Sequence, residues 1–313
     1  MNSGQKEIIR FWIFAALLLM FILIADSAGI GYKRKNMKIS VIMDCSDSTI
    51  HDELEKGISE EASIQNLDIN IEFLPKAYDT DLQKEIIKRE IDNGAEALII
   101  VPTDDREIKE WIRDEKFTLP ITYIYNDRLD RRNAFSAGFD REKAGKILAE
   151  NIAVDNADAR LVMICRHSDS SEILKIIDTI KEYLPDNRLI VEEYYSQPVI
   201  ATKLKKIAED RKKTVVITDG PEAAESVVKF SNYYKDWDLG IYSIGADKML
   251  LKNIEDGLVS GAVEWSDYAI GVRSVKTLMN YSRGFFSAYD IVEDPYFINS
   301  ENIFDSRVIR KDI

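Results

Sequence analysis

Residues 38–44 read KISVIMD, and seven further short runs of the same kind follow: DINIEFL (68–74), AEALIIV (95–101), PITYIY (120–125), RLVMIC (160–165), LIVEEYY (189–195), TVVIT (214–218) and LGIYSIG (239–245). Each is a short apolar stretch rich in β-branched residues, the pattern of a strand buried on both faces. Between them apolar residues recur at helical spacing, as in Leu82, Ile86, Ile87 and Ile91, in Ala144, Ile147, Leu148 and Ile152, and in Ile173, Ile176, Ile177, Ile180 and Leu184. Strand alternating with amphipathic helix predicts parallel sheets covered by helices on both faces, an α/β class.

The pattern also repeats. The first four runs centre near Val41, Ile71, Ile99 and Tyr123, and the second four near Met163, Val191, Val216 and Tyr242, an offset of about 120 residues each time. One duplication of a four-strand unit predicts two similar lobes, each a doubly wound parallel sheet. Beyond Ile254 the rhythm breaks. GLVSGAVEW (257–265) reads as a strand, Ser266 to Tyr281 as a helix, and AYDIVEDPYFI (288–298) as an extended return. Extra strands after the second lobe imply that the chain crosses between lobes repeatedly, which makes a hinge. The expected division is a first lobe of 37–137 with 266–293, a second of 138–265 with 294–306, and a short tail of 307–313.

Ahead of the lobes, residues 1–36 form a different kind of segment. Phe11 to Ala25 reads FWIFAALLLMFILIA, without a charge, behind Lys6 and Arg10 and ahead of Asp26. A core helix of a soluble domain would show a polar face, and this run shows none, so it reads as a secretory signal or a retained anchor. A retained anchor is the expectation here. The lysines and arginines on its two sides, Lys33, Arg34, Lys35 and Lys38 behind against Lys6 and Arg10 before, do not by themselves set its orientation.

Composition narrows the function. The 313 residues carry a net charge of −13 although residues 1–38 are basic, so the body is strongly acidic and repels phosphate backbones. No nucleic-acid partner is expected. With two cysteines and two histidines, none at a metal-ligand spacing, neither a metal site nor a cofactor is expected. Cys45 and Cys165 fall at strand ends in opposite lobes; a bridge would lock the lobes together, so free thiols are expected. No nucleophile motif occurs, and an enzyme would have to work through carboxylates such as Asp219 and Asp247.

In doubly wound sheets a ligand sits beyond the carboxyl ends of the strands. The residues just after the runs are mostly polar: Asp47, Asp104, Tyr125 with Asn126, Arg166 with His167, Asp219, Asp247 and Trp265. Asp104, Asp140, Asp169, Asp247 and Asp267 all open predicted helices, where capping explains a carboxylate without any ligand. Trp265 and Tyr125 could lay a ring on the C–H face of a sugar, and Arg166 could supply donors. Carboxylates outnumber cations in this set, which favours a neutral polyol or a cation over a phosphate.

Val101-Pro102-Thr103-Asp104 after an apolar strand resembles the type I periplasmic sugar-binding proteins, the ribose and galactose binders. So do Ile121 to Tyr125 after Pro120, Ala137-Gly138-Phe139-Asp140 to Ala144-Gly145, Gly245-Ala246-Asp247, and Asp256-Gly257 before a late strand. The resemblance runs from residue 37 to about 304. It implies two lobes joined by three strands that close on a small ligand outside the cytoplasm, with contacts from Asp47, Tyr125, Asn126, Asp219, Asp247 and Trp265. The sequence departs from the ribose pattern in the first loop (Ser48-Thr49-Ile50), after the fourth strand (Tyr125-Asn126) and early in the fifth helix (Leu174 and Ile176).

The resulting expectation is a monomeric, membrane-tethered solute-binding protein in the cell envelope. It would close on a small neutral polar ligand, a sugar, for the permease of an ABC transporter or a membrane sensor kinase. A repressor of the lactose-repressor type shares the two lobes, but it needs a DNA-binding module where this chain has its apolar segment.

Overall fold

The computed structural model describes residues 12, 14–17, 20, 36–46, 51–126, 128–156, 158–184, 189–285 and 288–304. The chain divides into two units, Met1–Met37 and Lys38–Ile313. In the first, Trp12, Phe14 to Leu17 and Met20 are helical. Among the described residues no helix is long and apolar enough to cross a membrane. Most of the Phe11 to Ala25 run lies outside them.

The second unit holds two six-stranded sheets. The first begins with β1 (Lys38–Ile42), β2 (Asp68–Glu72), β3 (Ala97–Ile100), β4 (Ile121–Ile124) and β5 (Ala134–Phe139). The second begins with β6 (Arg160–Cys165), β7 (Leu189–Glu193), β8 (Thr214–Thr218), β9 (Leu239–Ile244) and β10 (Gly261–Glu264). One late strand completes each sheet at one edge, β11 (Asp290–Glu293) beside β5 and β12 (Tyr296–Ile298) beside β10, giving orders β11-β5-β4-β3-β1-β2 and β12-β10-β9-β8-β6-β7. The two orders correspond strand for strand, as the internal offset predicts. Every pairing is parallel except β10 with β12. Strands β3, β4 and β8 are buried along their whole length, whereas the edge strands β2 and β7 are partly exposed, which is why the central runs lack polar alternation.

Nine helices of this unit are described: α1 (Asp52–Gln65), α2 (Thr80–Asp92), α3 (Asp105–Asp114), α4 (Arg141–Asn156), α5 (Ser171–Tyr183), α6 (Gln197–Ala208), α7 (Pro221–Ser231), α8 (Lys248–Glu255) and α9 (Asp267–Ser282). The chain leaves the first sheet after β5, returns after β10, and passes again from β11 to β12. On the second passage α9 packs on α1 so closely that a Cβ on Gly271 would lie 2.5 Å from the Leu54 carbonyl oxygen and 2.9 Å from the Ile58 nitrogen. Only glycine permits that approach.

The capping expectations hold for Asp104, Asp140 and Asp247, whose side chains accept from the Glu107, Lys143 and Leu250 N–H groups. They fail for Asp169 and Asp267. There the adjacent serines do the capping, Ser170 on α5 and Ser266 on α9, and leave both carboxylates to distant partners.

Candidate functional site

In each sheet the strand order reverses direction beside the first strand, between β1 and β3 and between β6 and β8. Loops leaving neighbouring strands at such a point diverge to opposite faces and open a crevice. The two crevices face each other across a cavity of about 300 Å³. The first lobe contributes Asp44, Tyr78, the Val101 to Arg106 turn, Tyr125 and Asn126; the second contributes Arg166, His167, Asp169, Ser170, Ile173, Tyr194 and the Asp219 to Glu222 turn.

Asp219 anchors the second lobe's wall. Its carboxylate accepts the Arg166 N–H at 2.6 Å and the Tyr194 hydroxyl at 3.1 Å. Burial pushes its pKa up, opposed by these two bonds and by the Arg166 charge. The Arg166 guanidinium lies over the Tyr78 ring of the other lobe, 3.8 Å from its centroid, and 5.0 Å from that of Tyr194, while reaching Glu222 at 3.3 Å. Burial holds the Tyr78 and Tyr194 hydroxyls well above the ordinary phenol range. Arg106 and Asp169 form a second bridge between lobes, 3.3 Å long and exposed. Across the cavity the described residues of the two lobes meet through a mostly buried cation–π contact and a solvated ion pair, and Arg141 at the start of α4 donates to the Tyr125 carbonyl of the first lobe at 2.9 Å.

Where the chain returns from β10 to α9, Tyr125 donates its hydroxyl to Asp267 at 2.7 Å. The same carboxylate oxygen receives the Trp265 indole N–H at 2.5 Å. Trp265 is buried and stacks on Phe139, with ring centroids 3.7 Å apart. Tyr125 and Tyr78 both hold positive φ, 59° and 58°, a conformation that costs a bulky residue about 1–2 kcal/mol. Strain at two cavity tyrosines fits a surface shaped for a ligand. Tyr125 also lies beside His51, with ring centroids 6.1 Å apart. Burial of the His51 imidazole opposes its charging, but bonds to Asp44 and Cys45 prevail and raise its pKa to about 10.

A model of the periplasmic binding protein domain family matches residues 39–284. The chain belongs to this family. It is a family of binding proteins rather than enzymes. Among solved structures, the glucose-galactose binding protein GanP of Geobacillus stearothermophilus superposes with a TM-score of 0.78 at 15% identity, covering 87% of this chain and all of that one (100%). A carbohydrate transporter solute-binding protein of Agrobacterium radiobacter, in complex with D-arabinose, gives 0.77 at 15% identity over 89% and 99% of the two chains. A solute-binding protein of Agrobacterium vitis with bound α-D-tagatopyranose gives 0.75 at 15% identity over 88% and 98%. No curated protein sequence matches the chain.

Of the strand-end positions singled out in the sequence of this periplasmic binding protein, Asp104, Tyr125, Asn126, Arg166, His167 and Asp219 meet at the cavity. Asp247 does not line it; its exposed side chain caps α8. Trp265 lines a different hollow, with Lys143, Tyr268 and Tyr296. Asp47 lies outside the described residues. Tyr78 and Tyr194 escaped the sequence reading. The first sits four residues beyond the end of its run, just before the Asp79 cap of α2, and the second is next to last in a run that reads as strand throughout, whereas β7 ends at Glu193. On α5 the cavity meets Ile173, while Leu174 is turned to solvent and Ile176 to the core.

Proposed function

We propose that this periplasmic binding protein is an extracytoplasmic solute receptor whose lobes close on a small neutral sugar or related polyol. The observation that carries this reading is the pairing inside the cavity. Among the described residues every carboxylate of its wall has a partner: Asp44 with His51, Asp104 with the Glu107 N–H, Asp105 with Lys109, Asp169 with Arg106, Asp219 with Arg166 and Tyr194, and Glu222 with Arg166. Both guanidinium groups of the described wall are thereby engaged, so an anionic guest would face six acids there with no uncommitted guanidinium to neutralise it. Hydroxyls can instead both donate to carboxylates and accept from Arg166 and Asn126. A cavity near 300 Å³ lies at the small end of ligand sites, suited to a monosaccharide rather than a long oligomer. Sugar ligands in the tagatose- and arabinose-bound relatives agree with this size and chemistry. Asn126, Tyr125, Asp219 and Arg166 are the contacts assigned to this ligand.

The charge-free run from Phe11 to Ala25 gives the receptor a tether to the membrane, with the lobes on the outer side. Its partner is then a membrane protein that recognises the closed lobes, the permease of an ABC transporter or a sensor kinase. Calorimetry with a panel of neutral monosaccharides and their phosphates tests the ligand class. Binding of a neutral sugar that Asn126→Ala and Asp219→Ala weaken supports it. Tight binding of a sugar phosphate with no response to neutral sugars overturns it.

A further inference from the structure

At the cavity wall, the first lobe carries a cluster in which Cys45 and His51 do not line the solute cavity. Asp44 and Cys45 follow β1, and His51 is the residue ahead of α1. One carboxylate oxygen of Asp44, the Cys45 sulfur and one imidazole nitrogen of His51 all lie within 4.8 Å of one another. Cys45 is fully buried, and the His51 and Asp44 side chains are 12% and 16% exposed. The chain owns two histidines and two cysteines, so one of each has been brought from different ends of a loop to a single carboxylate.

We propose that Asp44, Cys45 and His51 bind one borderline-soft divalent metal ion of the zinc type. The donor set selects the ion: thiolate and imidazole with one carboxylate suit Zn²⁺ and its relatives, whereas Ca²⁺ and Mg²⁺ require oxygen donors throughout. The spacing fits as well. Bonds of about 2.0–2.3 Å to oxygen, nitrogen and sulfur in a tetrahedron put the donor atoms about 3.3–3.7 Å apart. The observed set falls within 4.8 Å, and its Asp44–His51 contact, at 2.9 Å, needs to open only slightly. His51 stands at the N-cap position of α1 but makes no capping bond; its ring turns to Asp44 instead. Three protein donors leave a fourth position for water or another ligand, as in open zinc sites. Asp44 also lines the solute cavity, so metal and solute would share one wall.

The test uses the full chain, reduced and freed of metal with a chelator, and titrated with Co²⁺ and then Zn²⁺. The expected result is one Co²⁺ per chain with the strong visible absorption of a tetrahedral site and a thiolate-to-cobalt band in the near ultraviolet, both abolished by Zn²⁺. Cys45→Ser should erase the thiolate band, and His51→Gln and Asp44→Asn should each weaken affinity at least tenfold. Cys165→Ser, at the buried thiol of the other lobe, should change nothing. Because Cys45 is buried, the circular dichroism and melting of each variant are compared with the parent. If Cys45→Ser fails to fold, the partly exposed His51→Gln carries the decision. A weak octahedral cobalt spectrum without a thiolate band, or an affinity indifferent to Cys45→Ser and His51→Gln, overturns the proposal. The cobalt signal is read without sugar, so the site and the solute reading stand or fall separately.

Discussion

Replacing Arg166 with methionine separates lobe closure from ligand contact. Methionine retains much of the aliphatic volume and removes only the guanidinium. The main-chain N–H that Asp219 accepts stays in place, so the buried carboxylate keeps its 2.6 Å bond. Tyr194 and Glu222 belong to the same lobe as Arg166, and their contacts with it survive opening. Tyr78 belongs to the other lobe, and only its contact, 3.8 Å from guanidinium carbon to ring centroid, is lost when the lobes part. The arginine side chain is 21% exposed, so the cation–π contact is largely desolvated and contributes about 1 kcal/mol. Removing it should shift the closed-to-open ratio of the ligand-free chain about fivefold toward open. A ligand that binds only the closed form should lose affinity by up to the same factor. Small-angle scattering without ligand reads the first effect as a larger radius of gyration, and calorimetry with a bound sugar reads the second. Arg106→Gln is the control, since its bridge to Asp169 is exposed on both sides and contributes at most a few tenths of a kcal/mol. If Arg166→Met leaves both the scattering curve and the affinity unchanged, the two lobes are not held by this contact and the reasoning fails.

Gly271→Ala should destabilise the first lobe by about 1–3 kcal/mol, since its Cβ would meet the Leu54 and Ile58 backbone at 2.5 and 2.9 Å; an unchanged urea midpoint would refute the α1–α9 packing. Asp219, with a folded-state pKa above its ordinary value, contributes stability below about pH 3.8 that is lost as pH rises through the folded value. Asp219→Asn should therefore flatten the fall in stability across that window while the Arg166 N–H still finds an acceptor, and melting temperatures recorded from pH 3 to 8 check it. Asp267→Ala strips an acceptor from both Tyr125 and Trp265 and should cost about 1.5–3 kcal/mol, with a shift in tryptophan emission; no change in either denaturation or fluorescence would refute the shared bond.

Burial makes a fold legible when it leaves a period in the sequence. The eight runs are strands because parallel strands enclosed on both faces must be apolar throughout, and their offset betrays the second sheet. Strand β5 is less legible: its AFSAGF carries Ser136, which bonds across to Asp290 of the late strand β11, and Gly138, which lies against the Tyr125 backbone. The cavity was legible in part for the same reason. Strand ends are readable, so Arg166, Asp219, Tyr125 and Asn126 could be located, whereas Tyr78 depends on how a loop bends back.

The two failed capping assignments show where local reading must stop. At each of these helix starts a serine and an aspartate are neighbours, and either oxygen could satisfy the exposed N–H groups. The choice turns on a shift of one residue in where the helix begins. Once Ser170 and Ser266 take the N–H groups, Asp169 and Asp267 are released from their helix starts, and Asp267 accepts the indole N–H of nearby Trp265. Both then find partners far along the chain, Asp169 with Arg106 across the cleft and Asp267 with Tyr125, 142 residues away. A carboxylate displaced from a cap by its neighbour is thus available for long-range contacts: Asp169 bridges the lobes to Arg106, and Asp267 ties the Tyr125 turn to the start of α9. Swapping the order at one start, Ser266→Asp with Asp267→Ser, should keep the cap and break the Tyr125 and Trp265 bonds. The helix would then survive by circular dichroism while the tryptophan emission shifts. Retention of both signals would mean that the carboxylate's position is not what holds the crossing strands together.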